Sequence, residues 1–345
     1  MKNCSYLLLL LIFFCCCERK TGQSTTPEAT NKDSIPEAQP EIKADTISPE
    51  DIIITKELLF DKYTLPDEYY YYKSKKDSID RKFQWDKIKE RLALLENIQT
   101  QSITWAVLQN YKNMNGISPT PPDELIRRNA YENITDTFNV ERRQSVALFT
   151  VEDTAFVRYG RDGSLVKLLN PEDTTSLYYQ VETIMFEGEW LVTKKYVKSI
   201  SDTIRFNHAI FVDVGNQHIV TLEKKEAKEW IVRSMNPATT GQYKPPYAYR
   251  TPTGIFMIQE KKRKMIYNQD GSDEIGGFAP YASRFTNGAY IHGIPTVHPS
   301  TKEIEYGSSL GTTPKSHMCV RNASSHARFV YEQMPTLATI VFIID

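Results

Sequence analysis

The run Ala209-Ile210-Phe211-Val212-Asp213-Val214, then Gly215-Asn216, then His218-Ile219-Val220-Thr221-Leu222, decides the character of the last third of the chain. Two apolar, β-branched runs separated by a Gly-Asn turn predict a β-hairpin. Further strands are predicted at Trp230 to Arg233, Gly254 to Gln259, Ala289 to His292 and Thr339 to Ile344. Only Ser324 to Met334 has helical periodicity. Residues 205–345 are therefore expected to form one mostly-β domain.

Working upstream, residues 141–204 alternate with period two. Strands are predicted at Val146 to Phe149, Ala155 to Tyr159, Leu165 to Leu169, Tyr178 to Phe186 and Trp190 to Val197. Asp162-Gly163 and Glu187-Gly188 punctuate them as turns. The ending Glu189-Trp190-Leu191-Val192 with Lys195-Tyr196-Val197 resembles the last strands of bacterial SH3-like domains, and a small barrel is expected. Residues 51–140 are read as a helical domain: Trp85, Ile88, Leu92 and Leu95 fall at helical spacing, as do Ile103, Val107 and Tyr111. The chain is thus predicted to be a multidomain α+β protein: a helical region, an SH3-like β domain and a mostly-β C-terminal domain.

The stretch Thr21 to Pro49 is too poor in apolar residues to be expected to bury a core. Residues 18–50 are rich in Thr, Ser, Pro, Glu and Lys and read as a tether. Residues 1–17 combine a basic start, an apolar run from Leu7 to Phe14 and the cysteines Cys15, Cys16 and Cys17. That pattern reads as a secretion signal, its apolar run too short to span a bilayer comfortably. It resembles the lipoprotein type, which implies acylation at Cys17, a membrane anchor and an outer-membrane site facing the periplasm. The box Phe14-Cys15-Cys16 departs from the usual small residues and leaves Cys15 and Cys16 open as the modified position.

Charge is balanced, with 42 Lys and Arg against 43 Asp and Glu, so the basic excess of a nucleic-acid-binding surface is missing. Four of the five cysteines lie in the first 17 residues. Once the signal is removed, Cys319 is the remaining thiol in the folded part. A lone thiol in an exported chain is either a small buried hydrophobe or a reactive group.

Local sequence decides between them. Ser316-His317-Met318-Cys319-Val320-Arg321 resembles the Ser-His-Gly-Cys-hydrophobic-Arg signature of the L,D-transpeptidase (YkuD-type) catalytic domain. Tyr290-Ile291-His292-Gly293 resembles its strand-borne His-Gly, and Thr251-Pro252-Thr253-Gly254-Ile255-Phe256 its Thr-Pro-x-Gly-x-Phe element. Ser309-Leu310-Gly311 sits where the family has a small-residue loop. The resemblance covers residues 205–345 and departs at Met318, where the family has Gly.

The resemblance implies a site. Cys319 is the nucleophile and His292 its base, with a main-chain oxygen such as that of Gly293 fixing the imidazole tautomer. Ser316, His317 and Met318 shape the catalytic loop. Arg321 offers a cation to a substrate carboxylate, against the plainer reading of a structural ion pair. Tyr290 and Gly311 are candidate substrate contacts. His298 competes with His292, because 17 rather than 23 residues then separate base and Ser316. The apolar strand ending in His-Gly favours His292, since a base must be held rigidly. His208, His218 and His326 read as ordinary surface or strand residues.

The expected chemistry is that of a thiol with an ordinary pKa of about 8.5, activated by an imidazole and attacking an amide carbonyl. Backbone N–H groups in the Pro314 to Cys319 turn would receive the oxyanion. The implied substrate is a peptidoglycan tetrapeptide stem, cleaved before its terminal D-Ala and joined to a second stem as a 3→3 cross-link. With water as acceptor the same site is a carboxypeptidase. No metal or organic cofactor is implied. A non-catalytic wall-binding module and a zinc peptidase using His292, His298, His317 and Cys319 are the competing readings. The second lacks His-Glu-x-x-His and Cys-x-x-Cys spacing.

Overall fold

The computed structural model describes residues 46–74, 77–100 and 103–345. The signal, Cys17 and most of the tether lie outside the described residues. Residues 46–345 pack as one unit.

A six-stranded sheet forms its centre, ordered Ile53–Lys56, Glu229–Pro237, His218–Glu226, His208–Asp213, Thr339–Ile344, Gly254–Met257. The expected hairpin is there, with Ala209 opposite Leu222 and Asp213 opposite His218. Asp213 Oδ1 accepts the Asn216 N–H at 2.7 Å and closes the turn.

Alternation along these strands builds two cores. Ala209, Phe211, Ile340 and Phe342 face one way, against Ile88, Leu92 and Leu95 of helix α1 (Trp85–Gln99). Ile210, Val212, Val341 and Ile343 face the other way, toward Phe285, Ile291, Val320 and Val330. Val330 lies on helix α2 (Ser324–Gln333). A strand buried on both faces needs a cover on each, and α1 is the cover that the 205–345 segment does not itself supply. Glu96, buried in α1, is satisfied by Lys224 Nζ at 2.6 Å and Trp230 Nε1 at 2.9 Å.

The helical reading of residues 51–140 holds for α1 and fails elsewhere. Ile103, Val107 and Tyr111 do not share a helix: Thr104–Leu108 is a strand and Tyr111–Asn113 a single 3-10 turn. Trp105, Ala106, Val107 and Leu108 are all buried, and a short apolar run buried on both faces has no period to distinguish strand from helix. That strand joins the strands of 141–204 in a seven-stranded sheet. Its order is Val197–Ser199, Thr104–Leu108, Leu165–Leu168, Tyr178–Thr183, Glu189–Thr193, Ser145–Phe149, Phe156–Arg161. The five predicted strands are present, the last one split by a 3-10 turn at Lys194–Tyr196. The five-stranded barrel expected from them gives way to this larger sheet.

A third sheet carries the site: Glu260–Asn268, Ile275–Thr286, Ala289–His292 and Val320–Arg321. Its first two strands escape sequence reading. Glu260–Asn268 reads Glu-Lys-Lys-Arg-Lys-Met-Ile-Tyr-Asn and has no alternation. It is an outer strand, half-buried at Glu260, Lys261 and Lys262 and exposed at Arg263 and Lys264, and charges of this kind protect an edge. Ile275–Thr286 is interrupted by Gly276, Gly277 and Pro280. At Gly277 (φ +150°) a Cβ would stand 2.0 Å from the Thr296 carbonyl oxygen, so the close approach demands glycine there.

Candidate active site

Val320–Arg321 pairs in parallel with Ala289–His292, placing Ile291 beside Val320 and His292 beside Arg321. Side chains alternate along a strand, so Ile291 and Val320 go into the core while His292, Cys319 and Arg321 take the other face. All three line one cavity of about 630 Å³, with Ser316, His317 and Tyr267.

His292 is buried, and its Nδ1 lies 2.6 Å from the Gly293 carbonyl oxygen. That carbonyl can only accept, so Nδ1 carries the hydrogen and Nε2 keeps its lone pair. Gly293 is confined: a Cβ would meet Ser324 Oγ at 2.5 Å and Pro280 Cγ at 2.8 Å. His298 is exposed and does not line the cavity.

The loop before Cys319 is held by its backbone. Ser316 is buried; its N–H donates to the Thr240 carbonyl at 3.0 Å, and its carbonyl accepts the Gln242 N–H at 3.0 Å. Ser316 Oγ donates to the Cys319 carbonyl. His317 reaches outward to Asp270, Nε2 to Oδ2 3.0 Å, tying the 269–274 turn to the loop. Met318 has φ +144°, a conformation that favours glycine, where the family has glycine. Thr251 Oγ1 donates to its carbonyl at 2.7 Å and accepts the Gly241 N–H at 2.8 Å.

The electrostatics differ from a ready-made ion pair. Burial pushes the Cys319 thiol up to about 11, against the opposing pull of the Tyr290 backbone N–H and Arg321. Burial also holds His292 down to about 4, although its bond to the Gly293 carbonyl favours the charged ring. Either ion alone would lose its water, so the resting pair is neutral thiol and neutral imidazole. The thiol rests against the Gly288 carbonyl oxygen at 3.6 Å. Arg321 lines the same cavity, and among the described residues no carboxylate pairs with it. Burial lowers its pKa, yet a guanidinium stays charged.

The structure brings Cys319, His292, Gly293, Ser316, His317, Met318 and Arg321 together around one loop and one strand. Two of the expected substrate contacts are elsewhere. The Tyr290 side chain is buried against Tyr111, with the hydroxyls 3.2 Å apart, and only its backbone faces the thiol. Gly311 (φ +67°) accepts from Arg81 and donates to the Ala238 carbonyl, outside the cavity lining. His326 and His218 are buried rather than superficial. Tyr267 and Asp270 were missed; both follow from strand Glu260–Asn268, which has no readable pattern. Among the described residues no group of three His, Cys, Asp or Glu side chains is disposed to hold a metal ion.

Residues 207–343 match the family model of the YkuD L,D-transpeptidase catalytic domain, and this segment is a domain of that family. No curated protein matches the chain. Among solved structures, an L,D-transpeptidase from Mycobacterium smegmatis is 16% identical, covering 58% of this chain and 99% of its own, with a TM-score of 0.33. One from Mycobacterium tuberculosis H37Rv is 15% identical, covering 58% and 76%, with a TM-score of 0.32. A fused Zn-dependent amidase/peptidase/peptidoglycan-binding domain-containing protein from Clostridium acetobutylicum ATCC 824 is 21% identical over 40% of this chain, with a TM-score of 0.29. The chain spans about half (51%) of that protein's length.

Proposed function

We propose that the protein is a cysteine-dependent L,D-transpeptidase of the cell envelope. It cleaves a peptidoglycan tetrapeptide stem before its terminal D-Ala and joins the acyl group to an amine of a second stem. The observation that carries this reading is the shared cavity of Cys319, His292 and Arg321, with the His292 tautomer fixed by Gly293. Arg321 holds a stem carboxylate, a contact of the charge-assisted kind.

Each step balances. Sγ attacks the amide carbon while His292 Nε2 removes the thiol proton. The oxyanion is received by backbone N–H groups of the Pro314 to Cys319 turn. As the C–N bond breaks, His292 returns the proton to the leaving D-Ala amine, leaving a thioester on Cys319. The acceptor amine attacks the thioester, passes a proton through His292, and the thiol is restored. Because the resting pair is neutral, the proton moves when substrate has displaced water, not before. With water as acceptor the product is a tripeptide stem, which makes carboxypeptidase activity the second outcome of the same site.

An anchor at Cys17, a polar tether and a periplasmic face of the outer membrane complete the proposal; they rest on residues 1–50 of the sequence. The test is mass spectrometry of muropeptides incubated with the purified protein. 3→3 dimers support transpeptidation and tripeptides support trimming. No change with the parent, or turnover surviving in Cys319→Ala, removes the assignment.

A further inference from the structure

Asp162 lies in the seven-stranded module, outside the segment that matches the catalytic domain family. Its side chain is completely buried. Oδ1 accepts the backbone N–H groups of Asn110 at 2.8 Å and Tyr111 at 3.1 Å, both in the module. Oδ2 turns to the catalytic domain and accepts Arg284 at 2.6 Å, Gln259 Nε2 at 2.9 Å and the Asn287 N–H at 3.0 Å. The Asp162 carbonyl accepts Thr286 Oγ1 at 2.5 Å. The neighbouring Gly163 (φ +88°) would place a Cβ 1.9 Å from the Phe285 carbonyl oxygen, so only glycine lets the hairpin tip come this close.

The turn thus gripped continues directly into the site. Asn287 is followed by Gly288, whose carbonyl oxygen lies 3.6 Å from Cys319 Sγ. Two residues on, the Tyr290 N–H faces the same sulfur, and His292 ends the strand. A buried carboxylate with five donors from two directions has no freedom to move, and it transmits that rigidity to the turn it holds.

Resting on the reading of Cys319 as the nucleophile, we propose that Asp162 is a positioning residue: through the Thr286–Gly288 turn it fixes the groups that surround the thiol. The strand module is then part of the catalytic apparatus, and not a spacer or a detachable wall-binding unit. Loosening the turn admits water to the thiol and spoils its alignment. The two effects have opposite signs in two assays. A small alkylating reagent reacts faster, while an acylating ligand that must be aligned reacts more slowly.

The experiment compares the full chain with Asp162→Asn, Thr286→Val and Asp136→Asn, at a temperature where each is folded by circular dichroism. Asp136 is the control. It is likewise fully buried, accepts the N–H groups of Phe138, Val140 and Tyr159, and among the described residues makes no hydrogen bond to the catalytic domain. Iodoacetamide alkylation of Cys319 is followed across pH, and acylation by a carbapenem by intact mass. For Asp162→Asn and Thr286→Val, the expected result is about tenfold faster alkylation at pH 8 and about tenfold slower acylation, each factor matching one unit of thiol pKa or its equivalent in free energy. Asp136→Asn should keep the parental values. Parental behaviour in both test variants overturns the proposal, as does an equal change in the control. If Asp162→Asn does not fold, Thr286→Val decides alone. Alkylation needs no wall peptide, so these shifts in a protein that leaves muropeptides unchanged would sink the reaction and spare the positioning role.

Discussion

Thr251 Oγ1 donates a hydrogen bond of 2.7 Å to the carbonyl of Met318, the residue preceding Cys319. The same hydroxyl accepts the Gly241 N–H at 2.8 Å. One side chain therefore joins the Thr-Pro-x-Gly element, the loop after strand Glu229–Pro237 and the turn before Cys319. Thr251→Val keeps the shape and removes the hydroxyl, leaving a buried N–H without a partner. A cost of about 1–3 kcal/mol is expected, with slower acylation of Cys319. Denaturant unfolding and intact mass after carbapenem exposure check it; parental values in both would show that the clamp is dispensable.

The clamp holds a residue whose backbone is strained. A non-glycine residue at φ +144° costs on the order of 1–3 kcal/mol. Met318→Gly should remove that strain and so at least offset what is lost in packing against the core, and its unfolding free energy should equal or exceed the parent's. Met318→Val, β-branched at the same φ, should fall below the parent by about 2 kcal/mol or more. Urea unfolding of the pair is the measurement. Gly less stable than Val would mean that the side chain, not the backbone, governs this position.

How far the sequence reaches is clear from these residues. Cys319, His292 and Arg321 are legible because they stand in short motifs that resemble the family's: Ser316-His317-Met318-Cys319-Val320-Arg321, and an apolar strand ending at His292-Gly293. The hairpin Ala209 to Leu222 is legible because both its period and its turn are local. What escapes is set by partners distant in sequence. Thr104–Leu108 takes its strand state from the neighbours Val197–Ser199 and Leu165–Leu168. Glu260–Asn268 is a strand only because Ile275–Thr286 pairs with it. Asp162-Gly163 is readable as a turn, but nothing local says that its carboxylate reaches Arg284, 122 residues on.

The thiol gives a pH prediction with a definite sign. A thiol raised to about 11 is protonated at neutral pH, and its reactive thiolate grows with pH up to that point. Alkylation of free Cys319 should rise about tenfold per unit from pH 7 and level off only near 11. A plateau below pH 7 would instead reveal a preformed thiolate–imidazolium pair and overturn the neutral resting state.

Base and anion contact can be separated kinetically. His292→Ala should lower acylation by about 100-fold or more, within the usual range for a lost general base, while His298→Ala stays at the parental rate. Arg321→Gln should weaken donor binding by about tenfold or more through loss of a charge-assisted contact, with partial recovery in Arg321→Lys. Rates from intact mass at varied donor concentration resolve the three. A dead His298→Ala beside an active His292→Ala would exchange the two histidines.

Acid stability follows from histidines that the fold keeps neutral. Burial lowers His292 to about 4 and His326 to about 3, and it lowers His218 as well, against the pull of Asp213. In the unfolded chain each titrates near 6.5, so between that pH and the folded value the unfolded state binds more protons. Stability is therefore fully present above pH 6.5 and falls as pH drops toward 3. His326 isolates one contribution. It sits 5.1 Å from the Phe60 ring, with Nε2 2.9 Å from Ser234 Oγ and no partner for Nδ1. His326→Phe keeps an aromatic ring there, and Ser234 retains Thr221 Oγ1 at 2.7 Å. The variant should lose stability less steeply than the parent between pH 6.5 and 3, whatever its stability at neutral pH. Urea unfolding at four or five pH values measures both slopes, and an unaltered slope in His326→Phe would mean that this ring is not held neutral by its burial.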